Sequence, residues 1–115
     1  MDPKAFHRGL QLFNAAEFFE AHEVWEDVWR AAPHQEKKFL QGLIQLAVGF
    51  HHHSTGNRAG AQSLLARGAR NLSHYPQNFA GIDLLKLLQE VTGYREALAQ
   101  SSSQPSLPQI QILEC

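Results

Sequence analysis

A chain of 115 residues with 43% hydrophobic and 18% charged side chains is long enough to bury its own core and too apolar to stay disordered. Ten Lys plus Arg against eleven Asp plus Glu, a formal charge of −1, exclude a broad basic surface that could hold a phosphate backbone, so nucleic acid is not an expected partner. The single cysteine, Cys115, allows no internal disulfide and suits a reducing compartment.

The opening, MDPKAFHRGL, has neither the basic start nor the apolar run of a secretory signal, which points to the cytoplasm. Apolar residues recur at spacings of three and four, without sustained alternation before the last few positions. The expected class is therefore all-α: a compact bundle of about five helices over residues 1–100, followed by an extended C-terminal tail, 101–115.

Pro3 suits a first helical turn, and Phe6, Leu10 and Phe13 make a short amphipathic helix ending near Asn14. Asn14 with Glu17 three residues on reads as a capping box, placing a second helix over Ala15 to Ala31, stopped by Pro33. A third helix spans Gln35 to Ser54. Its run FLQGLIQLAVGF is shorter than the roughly 20 residues needed to cross a bilayer, so it reads as a buried helix and no membrane is expected. The pair Gly56-Asn57 turns the chain into a fourth helix ending near His74, before Pro76. Asp83 caps a fifth, which runs to about Ala99. Glycines at 42, 49, 60 and 68 lie within these helices, where their cost is best explained by close approach of neighbouring backbones. The tail, SSSQPSLPQIQILEC, has linker composition and then alternates, a pattern suited to a strap held through Ile110, Ile112 and Leu113.

Ionisable groups sit where a core is expected. At about 100° per residue, one face of the second helix collects Phe18, Phe19, His22, Trp25, Glu26 and Trp29, with His22 and Glu26 four apart. The third helix carries Gln41, Gln45 and His52 along one side and Phe39, Leu43, Leu46 and Phe50 along the other. Antiparallel packing of the two helices would set His22 and Glu26 opposite Gln45 and His52, in a buried polar pocket to which Gln41, Trp25 and Trp29 also contribute.

Two readings follow. His22, Glu26 and His52 could ligate one divalent ion, Zn or Fe, with open positions for water or a small-molecule ligand and Gln45 orienting the water; a metal-assisted reaction is conceivable, but no catalytic residue is assigned. Alternatively the cluster is a satisfied hydrogen-bond network in a structural or protein-interaction module. Known metal patterns are not completed. H-E-x-x-H fails at Glu26, and E-x-x-H fails because Phe19 stands three before His22. Residues His51 to His53 project about 100° apart, so of the three only His52 falls on the polar side. His7, Arg67 and Arg70 are isolated basic residues of the kind usually just solvated.

The residues HEVWEDVW contain H-x-x-x-E-x-x-W at His22, Glu26 and Trp29. With FNAAEFFEAHEVWEDVWR, FLQGLIQLAVGFHH and GNRAGAQSLLARG in the same order, the chain from Phe6 to Tyr94 resembles the domain-of-unknown-function 309 family. That resemblance implies a single all-α domain. It also implies a metal-binding role suggested for the signature, with His22 and Glu26 as candidate ligands and Trp29 as packing.

Overall fold

Asp2 starts the first helix: its carboxylate accepts from the amides of Lys4 and Ala5, and Pro3, with no N–H to leave orphaned, fills the first turn. In the computed structural model, which describes residues 1–100 and 105–113, five helices follow one another: α1 (Pro3–Asn14), α2 (Phe18–Ala31), α3 (His34–Ser54), α4 (Arg58–Leu72) and α5 (Leu84–Ala99). A short 3-10 turn, Phe79–Gly81, precedes α5. Among the described residues there is no strand, only one antiparallel bridge between Ile82 and Ile112, and no helix is long and apolar enough to cross a membrane.

The expected cap at Asp83 is made, its carboxylate accepting from the Lys86 amide, and Asn57, expected only as part of a turn, also caps α4 by accepting from the Gly60 amide. The expected capping box at Asn14 is not made. Helix α2 begins three residues later than the sequence suggested, because Ala16 adopts a left-handed conformation, φ 62°, and Glu17 takes the N-cap position without a side-chain bond. Asn14 is used elsewhere. Its amide donates to the Ile110 carbonyl at 2.9 Å, and its oxygen accepts from the Ile110 N–H at 2.7 Å. That clamp seats Ile110 in the core, while Ile112 and Leu113 stay exposed. Residues 101–104 and 114–115 of the expected tail, Cys115 included, lie outside the described residues.

Helix α3 is the central element. On one side Phe50 meets Phe13 at 5.9 Å and Phe18 at 5.3 Å, and Phe13 reaches Trp25 at 5.9 Å. These centroid separations are those of favourable aromatic contacts. On the other side, α4 approaches backbone to backbone. A Cβ on Gly68 would lie 2.8 Å from the Gly42 carbonyl oxygen, and one on Gly42 would lie 2.8 Å from Leu72 Cγ. Glycine is therefore required on both helices at this crossing.

Candidate functional site

The antiparallel course of α2 and α3 matches expectation: Phe19, near the start of α2, stacks 5.4 Å from His51 near the end of α3, and Trp29 at the far end of α2 lies under the Lys37 ammonium, 4.3 Å from its ring. The side of α3 that meets α2 does not match. Lys37 and His51 are fourteen apart, and helical periodicity places Gln41, Ile44 and Val48 between them. Gln45 lies on the other side, where it accepts from Asn71 of α4 at 2.7 Å. His52 turns the same way and sits 3.4 Å from Asn57 at the α3–α4 turn. The expected arrangement, with Gln45 and His52 opposite His22 and Glu26, is corrected accordingly. Its physical cause is the glycine pair Gly42 and Gly49, which draws α4 onto the flank that carries Gln45.

His22 and Glu26 do come together. His22 Nε2 lies 2.5 Å from Glu26 Oε1, while Nδ1 faces the Phe19 carbonyl at 3.3 Å. A ring protonated at both nitrogens donates to both oxygens, and a neutral ring donates to one. Glu26 also stands 3.9 Å from Arg30, whose other nitrogen donates to Asp27 at 2.6 Å. The set lines a shallow recess of about 220 Å³ together with Glu23. It is not a buried pocket: the His22 and Glu26 side chains are 21% and 38% exposed, and no polar or charged residue is buried among those described.

The remaining expected residues separate along the same lines. Trp25 is fully buried, its indole N–H donating to the Phe6 carbonyl at 3.2 Å, whereas Trp29 is 36% exposed and Phe19 52%. Gln41 is exposed. The three consecutive histidines diverge, His51 to Phe19, His52 to Asn57, and His53 to Tyr94 at 2.7 Å. Burial raises the Tyr94 phenol above its ordinary value, so it keeps its proton, and the direction of its bond with His53 Nδ1 follows the imidazole tautomer. No group of three or more His, Cys, Asp or Glu side chains among the described residues is placed to hold a metal ion. His22 and Glu26 thus stand together as a pair, and neither His51 nor His52 joins them as a third.

Sequence reasoning missed Lys37 and His51, the α3 residues that face the two exposed aromatics. Their position gave no decisive signal: the heptad-spaced edge Lys37, Ile44, His51 bears a lysine and an imidazole at its ends, but so does the neighbouring edge Lys38, Gln45, His52.

Residues 6–64 match the family model described as Domain of unknown function (DUF309). The chain belongs to this family. It is 40% identical over 98 residues to the uncharacterised protein YpuF of Bacillus subtilis (strain 168), a match covering 79% of this chain and 56% of that protein. It is 33% identical over 88 residues to an uncharacterised protein of Aquifex aeolicus (strain VF5), covering 73% of this chain and 26% of the relative. The DUF309 chain thus spans about half the length of the first relative and about a quarter of the second. The residues His22, Glu26 and Trp29 fall inside the matched region.

Proposed function

We propose that this DUF309 domain is a protein-interaction module that receives a basic segment of a partner along the outer edge of α2. The observation that carries the reading is the position of Phe19, His22, Glu26 and Trp29 on one partly exposed stripe, outside the core that their composition suggested. Phe19 and Trp29 are ten residues apart, roughly 15 Å along the helix, and offer two apolar anchors of the kind that dominate interfaces. Between and beside them stand Glu17, Glu20, Glu23, Glu26 and Asp27 against Arg30 of α2 and Lys37 of α3, a balance that favours Lys or Arg in the partner. Lys37 already uses the Trp29 ring in this way. The greater length of the relatives supports a module that works beside further sequence.

A photo-crosslinking residue at Glu23 of the full chain, introduced in its own cells, tests this. A discrete adduct is expected whose crosslinked peptide is rich in Lys or Arg, absent when the probe is at Ser63 on α4 and lost in Phe19→Ala or Trp29→Ala. Identical adducts from positions 23 and 63 would remove the reading.

One observation favours a second reading, divalent metal binding. His22 Nε2 and Glu26 Oε1 lie side by side on successive turns of a helix, and parted by an ion they would be two ligands to Zn or Fe, with water or a docked molecule supplying the others. Equilibrium dialysis with Zn(II) and Fe(II) checks it. One ion per chain is expected, lost in both His22→Ala and Glu26→Ala; no retention by the wild type defeats it.

A further inference from the structure

A groove of about 390 Å³ separates the second half of α4 from α5, on the opposite side of α3 from the α2 stripe. Ala66, Ala69 and Leu88 form its apolar floor, and Arg70, Ser73, Thr92 and Arg95 its polar rim. No acidic residue among those described lines it. Neither Arg70 nor Arg95 makes an ion pair among the described residues, although ion pairs form readily elsewhere, at Arg30 and at the N-terminus. The Nε of Arg95 is buried and has no hydrogen-bond partner among the described residues. A buried guanidinium N–H without an acceptor is costly and rare in folded proteins, so an acceptor is wanted at this place. Beyond Thr92 and Arg95 a second recess continues to Gln62, Glu96 and Ala99. The Glu96 carboxylate there repels an anion, so the favourable seat for negative charge is the end nearer Arg70.

We propose that the α4–α5 groove binds a small organic phosphate. The phosphate oxygens accept from the Arg70 and Arg95 guanidiniums, whose planar forks suit a tetrahedral oxyanion, and the Thr92 hydroxyl supplies a further donor. Ser73 adds little donor capacity because its hydroxyl already donates to the Arg70 carbonyl at 2.7 Å. The organic part lies on Ala66, Ala69 and Leu88, where two alanines in place of larger side chains keep the floor open. Arg70 is thereby more than the solvated residue its isolation in the sequence suggested.

The test is an amide-resolved NMR titration of the full chain with inorganic phosphate and with phenyl phosphate at constant ionic strength. Saturable shifts confined to residues 66–73 and 88–96 are expected, with phenyl phosphate the tighter by about tenfold because only it covers the floor. Arg70→Gln, at an exposed position that the fold does not need, and Arg95→Gln should each weaken phenyl phosphate by about tenfold or more. Ala66→Leu, which fills the floor and keeps both charges, should erase the preference for the aryl ester. Absence of saturation by roughly 10 mM would overturn the proposal. So would shifts spread over all the basic residues and indifferent to these substitutions.

Discussion

Trp25 and Trp29 stand one turn apart on α2 and have opposite surroundings. Trp25 is sealed under α1, against Phe13 and the Phe6 carbonyl; Trp29 lies open at the rim with Lys37 across its ring. Helical geometry separates the two by only roughly 40°, so no difference in their own positions on the wheel accounts for this. The neighbours account for it. Gly9 of α1 leaves a gap that the Trp25 indole fills so closely that a Cβ on Gly9 would lie 2.0 Å from its Nε1, whereas Trp29 has the Lys37 side chain of α3 across its ring. The same helix therefore has a face that holds the fold together and an edge, centred on His22 and Glu26, that the fold can spare.

The contrast breaks most sharply at Trp25. Trp25→Ala removes the largest fully buried side chain and should cost about 3–5 kcal/mol in urea unfolding, enough to threaten folding at the stability usual for small domains. A loss below about 1 kcal/mol would mean that the α1–α2 core is not built as described.

Next in size is the glycine crossing that decides which side of α3 belongs to which neighbour. Gly68→Ala brings a methyl to 2.8 Å from the Gly42 carbonyl oxygen, and backbone cannot yield as a side-chain tip can. A cost of about 1–3 kcal/mol is expected, read from the urea midpoint at unchanged slope. Gly93→Ala is the control: no atom lies within 4 Å, so the substitution should stabilise slightly through helix propensity, by up to about 1 kcal/mol.

This crossing also explains what the sequence made legible. Five helices, the turn at Gly56-Asn57 and the cap at Asp83 follow from local pattern, since spacing and turn chemistry act within one segment. The adjacency of His22 and Glu26 is local too, four residues on one helix. The facing of α3 is not local. A helix apolar on most of its circumference gives no preferred side, and Gln45 and His52 suit a polar neighbour on either flank. The usable signal lay in Gly42 and Gly49, which bracket Gln45 and assign that flank to a close-packed partner, α4. The start of α2 was misjudged for a similar reason: Asn14 looked like a cap locally, but its side chain serves Ile110, 96 residues away in the chain.

On the open edge of α2 effects on stability should be small. Trp29→Ala forfeits a ring that is 36% exposed and its contact with Lys37, so a loss of about 1 kcal/mol or less is expected in the same urea assay, against several for Trp25→Ala. If the edge is a docking surface, Trp29→Ala should nonetheless reduce partner crosslinking strongly. That separation of binding from stability distinguishes the edge from the face.

The smallest effect is expected at Glu26, and it is the most diagnostic of the original puzzle. Were Glu26 an inward member of a buried network, Glu26→Gln would remove charge-assisted bonds worth about 1.5–3 kcal/mol each. At 38% exposure, with His22 and Arg30 around it, the pair is a surface interaction of about 0–1 kcal/mol. Whatever cost Glu26→Gln shows at low salt should shrink as ionic strength rises, because screening acts on charges within reach of water. A loss above about 2 kcal/mol that is indifferent to salt would return Glu26 to the interior and with it the polar pocket between α2 and α3.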